Sequence, residues 1–216
     1  MHRALSKEEK SRLECHINHA EKRTGVQIVL SVVERSDNYA EIPWKAFALG
    51  TSFMGFVILI LNLKWSLASS LTVSWISMVM TLSVGVSLAS LCIFVPGFAR
   101  LFLNTHRADM ETRQYAESLF LSRELFATHD RKAVLLLISL FERRIVVLPD
   151  TGLVELLNHD AIQRIIQCMR RSLQAGQTER ALTSGLEKLE EILYGNSPPA
   201  SSVNELSDDI IEEKGV

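Results

Sequence analysis

The sequence predicts an α/β fold, a central sheet with flanking helices, interrupted by a two-helix transmembrane hairpin. Three observations carry this. From Ala46 to Ala99, 54 residues hold a single formal charge, Lys64. On either side of that stretch lie short apolar runs, Val26–Val33 (VQIVLSVV) and Ala133–Leu140 (AVLLLISL), of the length and composition of buried strands. Around these runs are segments whose apolar residues recur at helical spacing. Alternating strands and helices make a layered α/β domain.

The first helix should begin near Lys7, because Ser6-Lys7-Glu8-Glu9 matches the capping box S-x-x-E. Leu13, Ile17 and Ala20 fall on one face, and Thr24-Gly25 ends the helix. The strand Val26–Val33 follows.

Lys64 divides the charge-poor stretch into Ala46–Leu63 and Trp65–Ala99. A membrane span needs about 20 apolar residues, which places spans near 46–64 and 73–95 with a short turn between them. A buried soluble hairpin is the competing explanation, but a soluble helix normally keeps a polar face. Trp44, Trp65 and Trp75 lie near the span ends, where indole rings favour the headgroup layer. Pro96-Gly97 is a natural stop. Neither span contains Asp, Glu, Arg or His, the groups that mark ion and substrate pathways at membrane depth, so the hairpin reads as an anchor. Ser83, Gly85, Ser87 and Ala89 supply small-xxx-small pairs for helix approach. Arg35, Lys45, Arg100, Arg107 and Arg113 lie on the side of the termini and only Lys64 in the turn, so the positive-inside rule puts both termini in the cytoplasm. The charged start of the chain leads straight into a helix and does not resemble a signal peptide.

After the hairpin, Asp109–Leu125 reads as an amphipathic helix with Tyr115, Leu119 and Phe120 inward. Ala133–Leu140, the turn Phe141-Glu142-Arg143-Arg144 and Ile145–Leu148 read as a β-hairpin closed by Pro149 and Gly152. Asn158 or Asp160 caps the next helix, with Ile162, Ile165, Ile166, Met169 and Leu173 inward and Cys168 packed among them. Thr178 opens a last helix bearing Leu182, Leu186, Leu189 and Leu193. A lone strand is not stable, so residues 1–45 and 100–194 are expected to form one domain with 46–99 inserted in it. Residues 195–216, with Glu205, Asp208, Asp209, Glu212 and Glu213, read as a disordered acidic tail.

The order of these elements resembles the TPM domain family, named for thylakoid-lumen and photosystem-repair proteins and a modulator of acetylcholine receptors. It is most similar to the bacterial membrane-protein branch, in which a hydrophobic hairpin interrupts the domain. The resemblance rests on Glu21-Lys22-Arg23-Thr24-Gly25-Val26-Gln27-Ile28-Val29, on Arg35-Ser36-Asp37 with Tyr39, Glu41 and Pro43, and on Tyr115-Ala116-Glu117-Ser118-Leu119-Phe120. It rests further on Val134–Leu140 with Glu142-Arg143-Arg144, and on Asp150-Thr151-Gly152-Leu153. It extends from Ser6 to Leu193 and implies a TPM-like sandwich. It also implies calcium held by acidic loop residues in some soluble members, acid phosphatase activity in some, and accessory roles in assembling or repairing membrane complexes in many. Asp37, Asp130 and Asp150 are the positions at which a metal would be held. The family's Asp-Asn-Gly before the central strand is here Asp130-Arg131-Lys132-Ala133. Two cations there oppose calcium, which needs roughly six to eight oxygen ligands.

Other chemistry has less to draw on. Asp130, Glu142 and Asp150 are the carboxylates that a metal-assisted hydrolase would need to gather at one end of the sheet; otherwise Asp130 forms a turn, Glu142 pairs with an arginine and Asp150 caps. Cys15 and His19, beside His16, have the spacing of two zinc ligands on a helix but lack the rest of a site. His129-Asp130 reads as a turn. Arg131, Lys132, Arg143 and Arg144 suggest a basic patch for anionic lipid or an acidic partner. Walker, G-x-G-x-x-G, G-x-S-x-G and H-E-x-x-H motifs are all missing. A net charge of −2 gives no reason to expect nucleic acid, and three widely spaced cysteines do not make a disulfide scaffold. The sequence therefore reads as a two-span protein of the bacterial inner membrane with its domain in the cytoplasm. The expected role is a non-enzymatic accessory module meeting the bilayer and a membrane-protein partner. A membrane-bound metal-dependent phosphatase and a scaffold that homo-oligomerises through the hairpin are the alternatives.

Overall fold

The computed structural model describes residues 5–65, 71–128, 130–194 and 210–215. Helix α1 (Lys7–Thr24) starts at the capping box: Ser6 Oγ accepts from the Glu9 amide and the Glu9 carboxylate from the Ser6 amide. It ends at Gly25, whose φ of 68° provides the left-handed cap. The buried Glu21 carboxylate accepts the Ile28 amide at 2.7 Å, joining α1 to strand β1 (Gln27–Arg35). The chain then passes through α2 (Glu41–Trp65), α3 (Leu71–Phe94), the short α4 (Pro96–Ala99) and α5 (Thr105–Ser122). It finishes with β2 (Ala133–Ser139), β3 (Arg144–Pro149), α6 (His159–Gln174), α7 (Thr178–Leu193) and β4 (Ile211–Gly215).

The sheet order is β3-β2-β1-β4. β1 runs parallel to β2 from Gln27↔Ala133 to Val33↔Ser139, and β2 is antiparallel to β3 from Val134↔Pro149 to Ser139↔Arg144. Alternate residues of β2 point to opposite faces. Val134, Leu136 and Ile138 pack in the core with Leu13 and Ile17 of α1, Ile165 and Met169 of α6, and Leu182, Leu186 and Leu189 of α7. Leu135 and Leu137 pack with Ala116, Leu119 and Phe120 of α5. Parallel neighbours require a crossover; α5 is its helix, and the two apolar helices interrupt that crossover.

The chain divides into two units, residues 1–37 with 106–216, and residues 38–105. In the second unit, Glu41–Leu63 and Thr72–Phe94 are each long and apolar enough to cross a membrane. Trp44, Phe53, Phe56, Leu59, Trp75, Met78 and Phe94 all face outward, unlike the residues of a soluble core helix. Polar side chains in these helices bond to their own helix: Asn62 donates to the Ile58 carbonyl, Thr81 to that of Ser77 and Ser87 to that of Ser83. Internal satisfaction of this kind is what hydrocarbon demands. The helices meet through glycine. A Cβ on Gly50 would lie 3.1 Å from Gly85 Cα, and one on Gly85 only 2.5 Å from Thr51 Cγ2.

Three expectations are corrected. The disordered acidic tail is not disordered throughout: 195–209 lie outside the described residues, but Ile211–Gly215 form β4, parallel to β1 from Ser31↔Ile211 to Arg35↔Gly215. Ile210 is buried, Glu212 pairs with Lys10 at 2.8 Å, and Glu213 pairs with Arg123 at 3.1 Å while accepting from the Tyr115 hydroxyl at 2.5 Å. Helix α5 starts four residues before Asp109 and stops at Ser122, where Glu124 turns left-handed at φ 52°. Cys168 is exposed, because α6 buries Ala161, Ile165, Met169 and Leu173 and Cys168 sits one residue, about 100°, off that stripe.

Candidate functional site

In open α/β folds, ligands collect beyond the carboxyl ends of the strands. Here that edge holds a buried polar cluster. The Glu142 carboxylate, 6% exposed, accepts the Ser36 amide at 2.9 Å and the Ser139 hydroxyl. Ser36 Oγ donates to Thr112 Oγ1 of α5 at 3.4 Å, and Thr112 donates onward to the Ala108 carbonyl. The Leu140 and Phe141 amides donate to the Val33 and Glu34 carbonyls, so the turn after β2 is tied to the end of β1. Glu142 is therefore satisfied by an amide and a hydroxyl, not by the arginine expected. Beside it, Asp37 pairs with Arg107 at 2.9 Å and Asp109 with Arg144 at 2.6 Å. The chain leaves its first unit just after Asp37 and re-enters it at His106, so the Asp37–Arg107 pair and the Ser36–Thr112 bond tie the departing segment to the returning one.

The opposite end of the sheet carries the other carboxylates. Because β3 runs back along β2, Asp150 lies beside the start of β2, its amide donating to the Ala133 carbonyl at 2.8 Å. Asp150 is 4% exposed. Its Oδ1 accepts the Thr151 amide at 2.7 Å, and Arg131 approaches the same oxygen through Nη2 at 2.9 Å and Nε at 3.2 Å. Oδ2 is buried without a hydrogen-bond partner. Asp130 is exposed and pairs with Lys132 at 3.2 Å. A Cβ on Gly152 would lie 2.7 Å from both the Asp130 and Arg131 carbonyls, so only glycine lets the two loops touch. The sequence flagged Gly152 merely as a strand stop.

The three hydrolase carboxylates do not converge. Asp130 and Asp150 flank the start of β2 and Glu142 follows its end, so the seven residues of β2, about 20 Å of strand, separate them. Asp37, following the parallel β1, lies at the Glu142 end, so the metal candidates Asp37, Asp130 and Asp150 are split between the two ends. Among the described residues no group of three His, Cys, Asp or Glu is placed to hold a metal ion; His129 lies outside them. Calcium does not fit at Asp150: its one buried carboxylate already holds a guanidinium, and the nearby Asp130 holds an ammonium. The basic patch dissolves likewise, since Arg131 and Lys132 precede β2 while Arg143 and Arg144 follow it, and Arg131, Lys132 and Arg144 each have an acidic partner. Cys15, His16 and His19 are exposed on α1.

Residues 100–192 match the TPM domain. No curated protein matches the chain. The NMR structure of the BA42 protein from the psychrophilic bacterium Bizionia argentinensis is similar in fold, with a TM-score of 0.59 over 98% of this chain and 97% of that one at 14% identity.

Proposed function

We propose, from the premise that residues 100–192 are a TPM domain, that this chain is a membrane-anchored accessory module that binds a membrane protein and catalyses no reaction of its own. One observation carries the reading: Asp37, Asp130, Glu142 and Asp150 each already engage a partner within the chain. The two apolar helices between Asp37 and His106 support an anchor, and the charge bias of their flanks supports a domain on the cytoplasmic face of a bacterial inner membrane. In this reading α2 and α3 hold the domain at the bilayer, and the braced sheet presents a rigid surface to a neighbouring membrane protein.

The test uses the full chain in native membranes and in lipid nanodiscs. Photocrosslinkers at exposed positions of α5 and α6 are expected to trap a membrane protein, while the purified chain releases no phosphate from an aryl phosphate with or without divalent cations. Phosphate release abolished by Asp150→Asn or Glu142→Gln in a folded chain would establish the phosphatase instead. Crosslinks joining only copies of this chain through α2 and α3 would establish the scaffold.

A further inference from the structure

The structure assigns Arg131 the role of a built-in cation at Asp150, standing where the family resemblance implies a divalent ion. A carboxylate as buried as Asp150 needs a compensating charge or it destabilises the fold. Arg131 supplies one through two N–H groups on the same oxygen, and the third donor there is the Thr151 amide.

The loop is shaped to deliver that guanidinium. Arg131 has φ 55°, a left-handed conformation that Asn adopts readily and Arg does not. The resemblance puts Asn at this position, so Arg131 keeps the backbone shape while changing the chemistry. Its guanidinium carbon lies 5.6 Å from the centre of the Phe126 ring, within cation–π range. The Gly152 amide donates to the Arg131 carbonyl at 3.0 Å, and the missing Cβ of Gly152 allows that approach. Lys132 compensates Asp130 in the same loop. An incoming divalent ion would meet two positive charges and find Oδ1 of Asp150 already holding three donors. The fixed arginine therefore makes this end of the sheet independent of the surrounding calcium.

Thermal unfolding of the full chain in nanodiscs tests this, with the wild type, Arg131→Ala, and Arg131→Ala combined with Asp150→Asn, each in chelator and in millimolar calcium. The wild-type midpoint is expected to be the same in both conditions. Arg131→Ala is expected to lower the midpoint in chelator by several degrees, and adding Asp150→Asn to recover most of that loss, because the orphaned charge is then gone. A saturable calcium-dependent rise in the wild type that Asp150→Asn removes would overturn the proposal, as would a loss in Arg131→Ala that Asp150→Asn does not repair. Should Arg131→Ala fail to fold, Arg131→Lys serves in its place: calcium-independent unfolding below the wild-type midpoint is expected, and a calcium-dependent rise would contradict the assignment.

Discussion

Asp37 and Arg107 stand seventy positions apart in the chain, yet their side chains meet in a 2.9 Å ion pair. Between them lie both apolar helices. Each of the two side chains remains partly exposed, so the pair contributes at most about 1 kcal/mol. The stronger tie is the Ser36–Glu142–Ser139 cluster behind it, which is buried.

Glu142→Ala leaves the Ser36 amide and the Ser139 hydroxyl without their acceptor, each costing about 1–3 kcal/mol. Chemical denaturation of the domain is expected to show a loss of roughly 2–6 kcal/mol, against at most about 1 kcal/mol for Asp37→Ala. Equal losses would contradict the ranking.

The strand β4 makes stability depend on acid. The hydrogen bond from the Tyr115 hydroxyl, reinforced by Arg123, holds the Glu213 carboxyl below its ordinary value of 4.5. Burial and the neighbouring Glu213 push the Tyr115 hydroxyl up, so it stays a proton donor. A depressed folded-state value contributes stability that is present above 4.5 and lost as pH falls through the folded-state value. Protection factors of the amides of residues 211–215, measured against intrinsic exchange at each pH, are expected to fall in acid. Glu213→Gln should flatten that dependence.

Within the hairpin, Gly85 and Gly55 give opposite expectations. Gly85→Leu forces a side chain into Thr51 and Phe47, an overpacking that costs about 1–3 kcal/mol. Gly55 has nothing within 4 Å of a built Cβ, so Gly55→Ala is expected to be neutral. Distances between spin labels on α2 and α3 should lengthen in the first variant and stay unchanged in the second.

The sequence made most of this fold legible where the signal is local. The capping box at Ser6, the left-handed stop at Gly25, the apolar run of β2 and the charge-poor stretch around Lys64 each declare an element without outside help. What stayed hidden depended on distant partners. β4 has two glutamates and a lysine in five residues, and its charges make sense only once Lys10, Tyr115 and Arg123 are brought beside them. The separation of Glu142 from Asp130 and Asp150 is implicit in the β-hairpin that the sequence predicts, with Glu142 in its turn and Asp130 and Asp150 at its open end. Ser36, the amide partner of Glu142, is 106 positions away. Cys168 reads as inward in the sequence because Ile162 and Ile166 widen the apolar stripe of α6 beyond the face that is fully buried.

Strands before and after the two apolar helices share one sheet, so both segments must lie on the same side of any bilayer those helices cross. Cys15 precedes the spans and Cys168 follows them, and both are exposed. Chains retaining only one of these cysteines can be treated with a membrane-impermeant thiol reagent in intact spheroplasts and in inverted vesicles. Both cysteines are expected to be protected in spheroplasts and labelled in inverted vesicles. Labelling of Cys15 and Cys168 from opposite sides would contradict the account, because the chain would then cross the membrane an odd number of times.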